Sequence, residues 1–275
     1  MDWIELLKAA FLGVVEGITE WLPISSTGHM ILVDEFMKLN VSENFWNMFL
    51  VVIQLGAIMA VVVIYWKQIF PFSFKKNEPL IKKDIFVMWF KVLVAIIPTM
   101  IIALPFDDLI EATFNNYVVV AVALIVYGVI FIVMENHNKH RKFTINDISQ
   151  ITYKTALFIG IFQVLAVIPG TSRSGSTIIG AMLMGTSRTV AAEFTFYLAI
   201  PVMFGASLLK LVKFGFVFTQ MEIAIMVVGM AVAFLVSCAA IKFLMSYIKK
   251  YDFKAFGYYR IVLGILVLGY FWLFA

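Results

Sequence analysis

Two glutamates four residues apart, Glu16 and Glu20, stand in the otherwise apolar stretch "GVVEGITEWLPISSTGHMILV" that runs from Gly13 to Val33. On a helix that spacing puts both carboxylates on one face. A carboxylate at membrane depth costs at least a few kcal/mol, so the pair is expected to line a polar cavity or to find a partner. Two carboxylates so spaced suit a divalent cation, Mg2+ or Ca2+, because Mg2+ is usually held by one or two carboxylates together with phosphate oxygens. Pro23 ends the first helix and frees backbone groups that Ser25, Ser26 and Thr27 can serve. His29 follows; the other two histidines, His137 and His140, lie in a basic loop where solvent explains them. An imidazole beside hydroxyls can move a proton near neutral pH, so Ser26 or Thr27 with His29 reads as a nucleophile and its base.

A second constellation carries the opposite charge. "PGTSRSGST" sets Arg173 between Ser172 and Ser174, followed by Gly175, Ser176 and Thr177 at the start of an apolar helix. A guanidinium offers a planar fork of donors, and a Gly/Ser turn into a helix N-terminus aims backbone N–H groups at an oxyanion. Ser25, Thr27, Ser172, Arg173, Ser174 and Thr177 are therefore expected to bind phosphate. No G-x-x-x-x-G-K-[ST] loop is present, so this is not a nucleotide-binding P-loop. The two stretches also align: "FLGVVEGITEWLPISSTG" from Phe11 lies over "FIGIFQVLAVIPGTSRSG" from Phe158, matching Ser25 with Ser172 and Gly28 with Gly175.

The elements that must position these groups are membrane helices. Of 275 residues 63% are hydrophobic and 14% charged, with mean hydropathy +0.98. A soluble domain of this size needs a surface far richer in charge. The net charge of +4 gathers in short loops between apolar spans, which marks membrane orientation and not nucleic acid. The single cysteine, Cys238, allows no disulfide within the chain. The amino terminus lacks the basic region and cleavage site of a signal peptide.

Six segments approach the roughly 20 apolar residues of a spanning helix: 46–66, 86–106, 118–134, 194–212, 223–241 and 258–275. Two more, 9–33 and 155–190, are interrupted at Pro23 and Pro169, the pattern of a re-entrant helical hairpin. Lysines and arginines (Lys67, Lys75, Lys76, Lys82 and Lys83; Lys139, Arg141, Lys142 and Lys154; Lys242, Lys249, Lys250 and Lys254) mark three cytoplasmic loops. The connections 107–116, with Asp107, Asp108 and Glu111, and 213–222 can then sit outside. The alternation closes only if both broken segments return to the side they came from. The expectation is an all-α integral membrane protein with six transmembrane helices, two re-entrant hairpins and an inverted-topology repeat, residues 1–117 and 118–275. Its two breaks should meet near the midplane. Acids, hydroxyls and histidine from one copy would face an arginine from the other, a pocket suited to a lipid bearing phosphate.

At these residues the sequence resembles the bacterial undecaprenyl-diphosphate phosphatase family, also called the bacitracin-resistance protein family. Besides the two motifs above, "FLVVIQLGAIMAVVV", "AAEFTFYLAIPVM" and "YYRIVLG" carry the likeness, which spans nearly the whole chain. The resemblance implies an enzyme of the bacterial cytoplasmic membrane that hydrolyses a C55 polyprenyl diphosphate to the monophosphate. That reaction recycles the carrier for peptidoglycan synthesis and lowers sensitivity to bacitracin. The family's acidic motif falls on Glu16 and Glu20, its hydroxyl-histidine motif on Ser26, Thr27 and His29, and its arginine motif on Ser172, Arg173, Ser174 and Thr177. A site opening toward the outer face and the C55 chain length are also implied by resemblance alone. Attack by Ser26 through a phosphoserine and direct attack by water both remain open, and a homodimer is one oligomeric state allowed. The rival class is a secondary transporter or flippase of polyprenyl phosphate lipids, because broken helices and buried carboxylates are equally a transporter signature.

Overall fold

The computed structural model describes residues 2–75, 79–114 and 116–274, with Leu104, Asp107, Asp108 and Glu111 defined by their helical backbone alone. Lys76 and the side chains of Asp107, Asp108 and Glu111, counted above in assigning the loops, lie outside the described residues. The chain is all-α: α1 Trp3–Thr19, α2 Ser26–Phe36, α3 Glu43–Ile64, α4 Trp66–Ile69, α5 Lys83–Phe114, α6 Tyr117–Asn138, α7 Tyr153–Val164, α8 Arg173–Leu183, α9 Arg188–Phe214, α10 Gln220–Ile248 and α11 Lys254–Phe274. Among the described residues α3, α5, α6, α9, α10 and α11 are long and apolar enough to cross a membrane, so this is a multi-pass membrane protein. The expected connection at 107–116 is corrected: α5 stays helical to Phe114, through Pro98 and Pro105. Proline inside a membrane helix is tolerated where neighbouring groups satisfy the freed carbonyls.

Both interrupted segments are helix, break, helix. The start of α1 and the exit from α2 meet at one end of the molecule: the Lys8 ammonium donates to the Lys38 carbonyl and the Asn40 N–H to Glu5, both at 2.7 Å. At the opposite end, the Thr144 and Ile145 amides donate to the Gly185 carbonyl just beyond α8, and Lys91, two turns into α5, reaches the Ser149 carbonyl. There Arg188 grips the buried carboxylate of Glu135 with two bonds, at 2.8 and 2.5 Å, and Glu135 also accepts from the Phe253 amide. The basic loops after α3, α6 and α10 share this second end.

Helix crossings are set by small residues. Gly13 and Gly17 on α1 face α10 so closely that a Cβ would meet the Gly229 carbonyl at 2.6 Å and that of Ala233 at 2.8 Å, the close approach that a small-xxx-small pair permits. Tighter still, Gly56 of α3 lies under Met230 of α10, and Gly160 of α7 under Ala95 of α5; an added Cβ at either would stand 2.1 Å from a backbone carbonyl. Among the helix pairs, α1 and α3 rest on α10, α7 rests on α5, and α6 pairs with α11.

Candidate functional site: a charged pocket between two helix breaks

Each break is built around one serine. Ser25 (φ 73°, ψ 102°) and Ser172 (φ 72°, ψ 120°) are the non-glycine residues with positive φ among the described residues. That conformation costs a side-chain-bearing residue about 1–3 kcal/mol and persists where surroundings enforce it. Each serine is the N-cap of the helix that follows, its Oγ accepting from the amide three residues on: Gly28 at 3.3 Å and Gly175 at 3.2 Å. The pair that sequence alignment sets opposite each other thus shares a backbone conformation and a cap.

The breaks are tied together by Arg260 of α11, whose side chain is fully buried. Its guanidinium donates to the Pro23 carbonyl of the first break at 3.2 Å, to Gly170 and Thr171 of the second at 2.8 and 2.9 Å, and to Leu124 of α6 at 3.5 Å. Prolines and positive-φ turns leave carbonyls without helical donors, and a buried carbonyl must be paired; one guanidinium, with five donors in a fixed fork, serves both breaks. The Tyr127 ring lies 5.6 Å from it.

Glu20 and Arg173, expected from opposite copies, meet: Arg173 Nη2 is 2.9 Å from Glu20 Oε1. The other carboxylate oxygen accepts from Ser26 Oγ at 3.1 Å, and Ser174 Oγ donates to the Glu20 carbonyl. Arg173 Nη1 also donates to the Thr195 carbonyl. Glu20, Ser26 and Arg173 border a cavity of about 180 Å3 lined also by Ser25, Thr27 and Ser172, with Val202, Met203 and Ala206 of α9 on its apolar side. Glu16 lies beneath a second cavity, sharing Ser26, Thr27 and Gln54 with the first. Its Oε1 is buried and has no hydrogen-bond partner. Among the described residues no three His, Cys, Asp or Glu side chains cluster as a complete metal site; two carboxylates that leave room for phosphate oxygens are the Mg2+ pattern.

Three expectations are corrected by this geometry. His29 pairs with neither Ser26 nor Thr27: its Nδ1 lies 2.7 Å from the Ser25 carbonyl and its Nε2 2.6 Å from the Tyr259 hydroxyl, against whose ring it stacks. A carbonyl only accepts, so Nδ1 carries the hydrogen and Nε2 is left to accept from Tyr259. Thr177 turns its hydroxyl back to the Arg173 carbonyl and across to Thr195 Oγ1 at 2.9 Å, the usual recourse of a helical threonine, and is buried away from the pocket. Ser174, 1% exposed, likewise joins the two breaks and does not face the cavity. Sequence reasoning missed Arg260, Tyr259, Gln54 and Thr195. A charged residue within an apolar span is itself a signal of function or pairing, and "YYRIVLG" carried that signal.

Fold and site together define a polytopic membrane protein with a buried carboxylate–guanidinium pocket held between two strained serine turns. The chain belongs to the bacitracin resistance protein BacA family, whose model matches residues 9–266. It is 65% identical over 268 residues to the undecaprenyl-diphosphatase of Acetivibrio thermocellus and 65% identical over 269 residues to that of Enterococcus faecalis. With that of Desulfitobacterium hafniense it shares 62% over 272 residues. Each alignment covers 98% of both chains.

Proposed function

We propose that this protein is an undecaprenyl-diphosphate phosphatase. It hydrolyses the C55 polyprenyl diphosphate carrier to the monophosphate and inorganic phosphate, serving carrier recycling and bacitracin resistance. Family membership and relatives named for that hydrolysis support it over a carrier that leaves its lipid unchanged. The observation that carries the chemical reading is the Arg173–Glu20 pair, with Ser26 on the second carboxylate oxygen and the pocket in front of all three. Phosphoryl transfer depends mainly on positioning and charge neutralisation. Arg173 neutralises the diphosphate oxygens, and the pocket hydroxyls of Thr27 and Ser172 orient them.

Ser26 Oγ attacks the terminal phosphorus and passes its proton to Glu20 Oε2, the acceptor it already faces. The bond from phosphorus to the bridging oxygen breaks, and the lipid monophosphate leaves with the proton handed on from Glu20, which is again a carboxylate. Water then cleaves the phosphoserine with Glu20 as base. His29, holding the Ser25 carbonyl and Tyr259, fixes the turn that presents Ser26; direct attack by water is the competing path. The buried, unpartnered Glu16 oxygen suits a divalent cation. Glu16 and Glu20 would hold Mg2+ or Ca2+, which when bound offsets the negative charge of the diphosphate.

The two broken segments act as re-entrant hairpins of an inverted repeat, 1–117 and 118–275, in the bacterial cytoplasmic membrane. The matched serine turns and the contacts that close each segment at opposite ends support this. With the basic loops cytoplasmic, the α1 end faces outward and the pocket opens there. The test is phosphate release from farnesyl and C55 diphosphates by purified protein in detergent, with and without chelator, for wild type and single variants at Glu16, Glu20, Ser26, His29 and Arg173. Loss of release in the Arg173 and Ser26 variants, together with a trapped phosphate on wild-type Ser26, is the expected result. An active Ser26→Ala refutes the phosphoserine path, and a wild type that releases no phosphate refutes the function.

A further inference from the structure

The second interrupted segment reaches only part of the way across the bundle. α7 stops at Val164, and the chain turns back through α8 to the end where it began. Its neighbours continue. Gln163, one residue before that stop, donates to the Thr99 hydroxyl of α5 at 3.0 Å, and α5 runs on from there to Phe114, about 22 Å of rise. α9 runs on from Met203, whose sulfur lies 3.9 Å from Arg173, to Phe214, about 17 Å. Each length exceeds the roughly 15 Å of hydrocarbon in one leaflet. α5 is packed only where α7 accompanies it: Met88, Val92, Ala95 and Ile96 are buried, and among its described residues none beyond Ile96 is.

The Arg173 pocket opens onto this space. Its apolar side combines Ala166 and Ile168 of the second break with Val202 and Ala206 of α9. Val202, Gly205, Ala206 and Leu209 stand at the i, i+3, i+4 and i+7 positions of one helix face. None of the four is buried, and Gly205 and Ala206 are exposed; a Cβ at Gly205 would meet nothing within 4 Å. The pocket wall therefore passes into membrane-exposed surface over small residues. α5, which also touches α9, keeps one half-buried face there, with Thr99, Ala103, Ile110 and Phe114 at i, i+4, i+11 and i+15. Other sides of the pocket do not suit an apolar chain. Between α2 and α3 lies a polar cavity with Asp34 and Asn47, and beyond α2 the way is closed by His29 stacked on Tyr259 of α11. The apolar groove at Tyr117 and Trp272 shares no lining residue with the pocket.

We propose that the cleft between the outer halves of α5 and α9, floored by the second break, holds the prenyl chain of the substrate. The lipid slides in sideways from the outer leaflet, and its diphosphate reaches Arg173 while the chain stays in hydrocarbon. Each CH2 moved into water costs about 0.8 kcal/mol, and this route avoids most of that cost. The occupant is the substrate's own chain, because the cleft is continuous with the pocket that takes its headgroup. The proposal rests on the phosphatase reading for the identity of the lipid; the place of the chain holds for a prenyl diphosphate that binds, cleaved or not.

The probe is a methylene-diphosphonate analogue of farnesyl diphosphate whose chain ends in a benzophenone, photolysed with wild-type protein in phospholipid nanodiscs and mapped by mass spectrometry of peptides. Label is expected on α9 within 204–209 or on the outer half of α5, suppressed by excess farnesyl diphosphate. Label on the groove at Tyr117 and Trp272, or on α2 and α3, overturns the proposal. So does cleft label that farnesyl diphosphate does not suppress, the mark of ordinary bilayer lipid, and so does an unlabelled cleft, as a second copy seated on it would leave. Ala206→Trp, which fills the rim, raises KM for farnesyl diphosphate on the order of tenfold with kcat little changed, whereas Leu235→Trp on the exposed face of α10 leaves KM within about twofold of wild type. Equal KM values in the two variants overturn the site; should Ala206→Trp not fold, the labelling decides. Phosphate release by wild type is read on the same preparation, so its absence removes the phosphatase reading while suppressible label still places the chain.

Discussion

Replacing Arg260 by lysine keeps the charge and removes the fork. The guanidinium spans from Pro23 in one break to Gly170 and Thr171 in the other, with a fourth bond to Leu124. An ammonium on a shorter stem has three donors radiating from one point and cannot reach both breaks together. At least two buried carbonyls then lose a charged donor, each bond worth about 1.5–3 kcal/mol. Allowing for relaxation, the expected loss is about 3 kcal/mol, or a fall in apparent melting temperature on the order of 5–10 °C. The effect on function is larger than on stability, because Arg260 sets the position of Ser26 against Arg173, and misplacement by about 1 Å costs on the order of 100-fold in rate. The assay is phosphate release from farnesyl diphosphate, run well below the melting temperature of Arg260→Lys, with melting followed on the same preparation. A kcat/KM within twofold of wild type alongside a lowered melting temperature refutes the positioning argument. An unchanged melting temperature refutes the energetic one.

Arg173→Lys should reduce kcat/KM by about 100-fold or more while the protein still accumulates in the membrane, which quantitative blotting and the same assay check together. Gly56→Ala drives a methyl group to 2.1 Å from the Met230 carbonyl, forcing α3 and α10 apart; a loss of about 3 kcal/mol is expected, measured as lowered melting temperature in detergent. Asp147, in the loop between α6 and α7, is held below the ordinary aspartate range by the hydroxyl and amide of Ser149. Its stabilising contribution is therefore complete above the unfolded value of about 3.9 and is lost as pH falls through the lower folded value. Asp147→Asn should lower the melting temperature slightly at pH 7, and the difference from wild type should vanish in acid below both values.

Much of this protein is written in local pattern. Six apolar runs of membrane length sufficed for the spans, because every backbone group in a bilayer must be paired internally and a helix does so within one segment. Pro23 and Pro169 located the breaks, since proline removes a helical donor, and Ser25 aligned with Ser172 before either was known to share a conformation. Glu16, Glu20 and Arg173 were legible because ions in apolar sequence are costly and so need a reason. What the local pattern could not give is which donor turns to which acceptor. His29 faces Tyr259, 230 residues away in sequence, and not its near neighbour Ser26; Thr177 bonds Thr195 and leaves the pocket; Glu20 meets Arg173 of the other break. Arg260 lay in plain view in the last span, yet its partners are carbonyls that exist as free acceptors only after two distant breaks have formed. Sequence determined the helices and the ions that apolar surroundings make expensive. Tertiary packing alone decided how those ions and carbonyls pair, because hydrogen bonding depends on distance and direction between groups that only the folded bundle brings together.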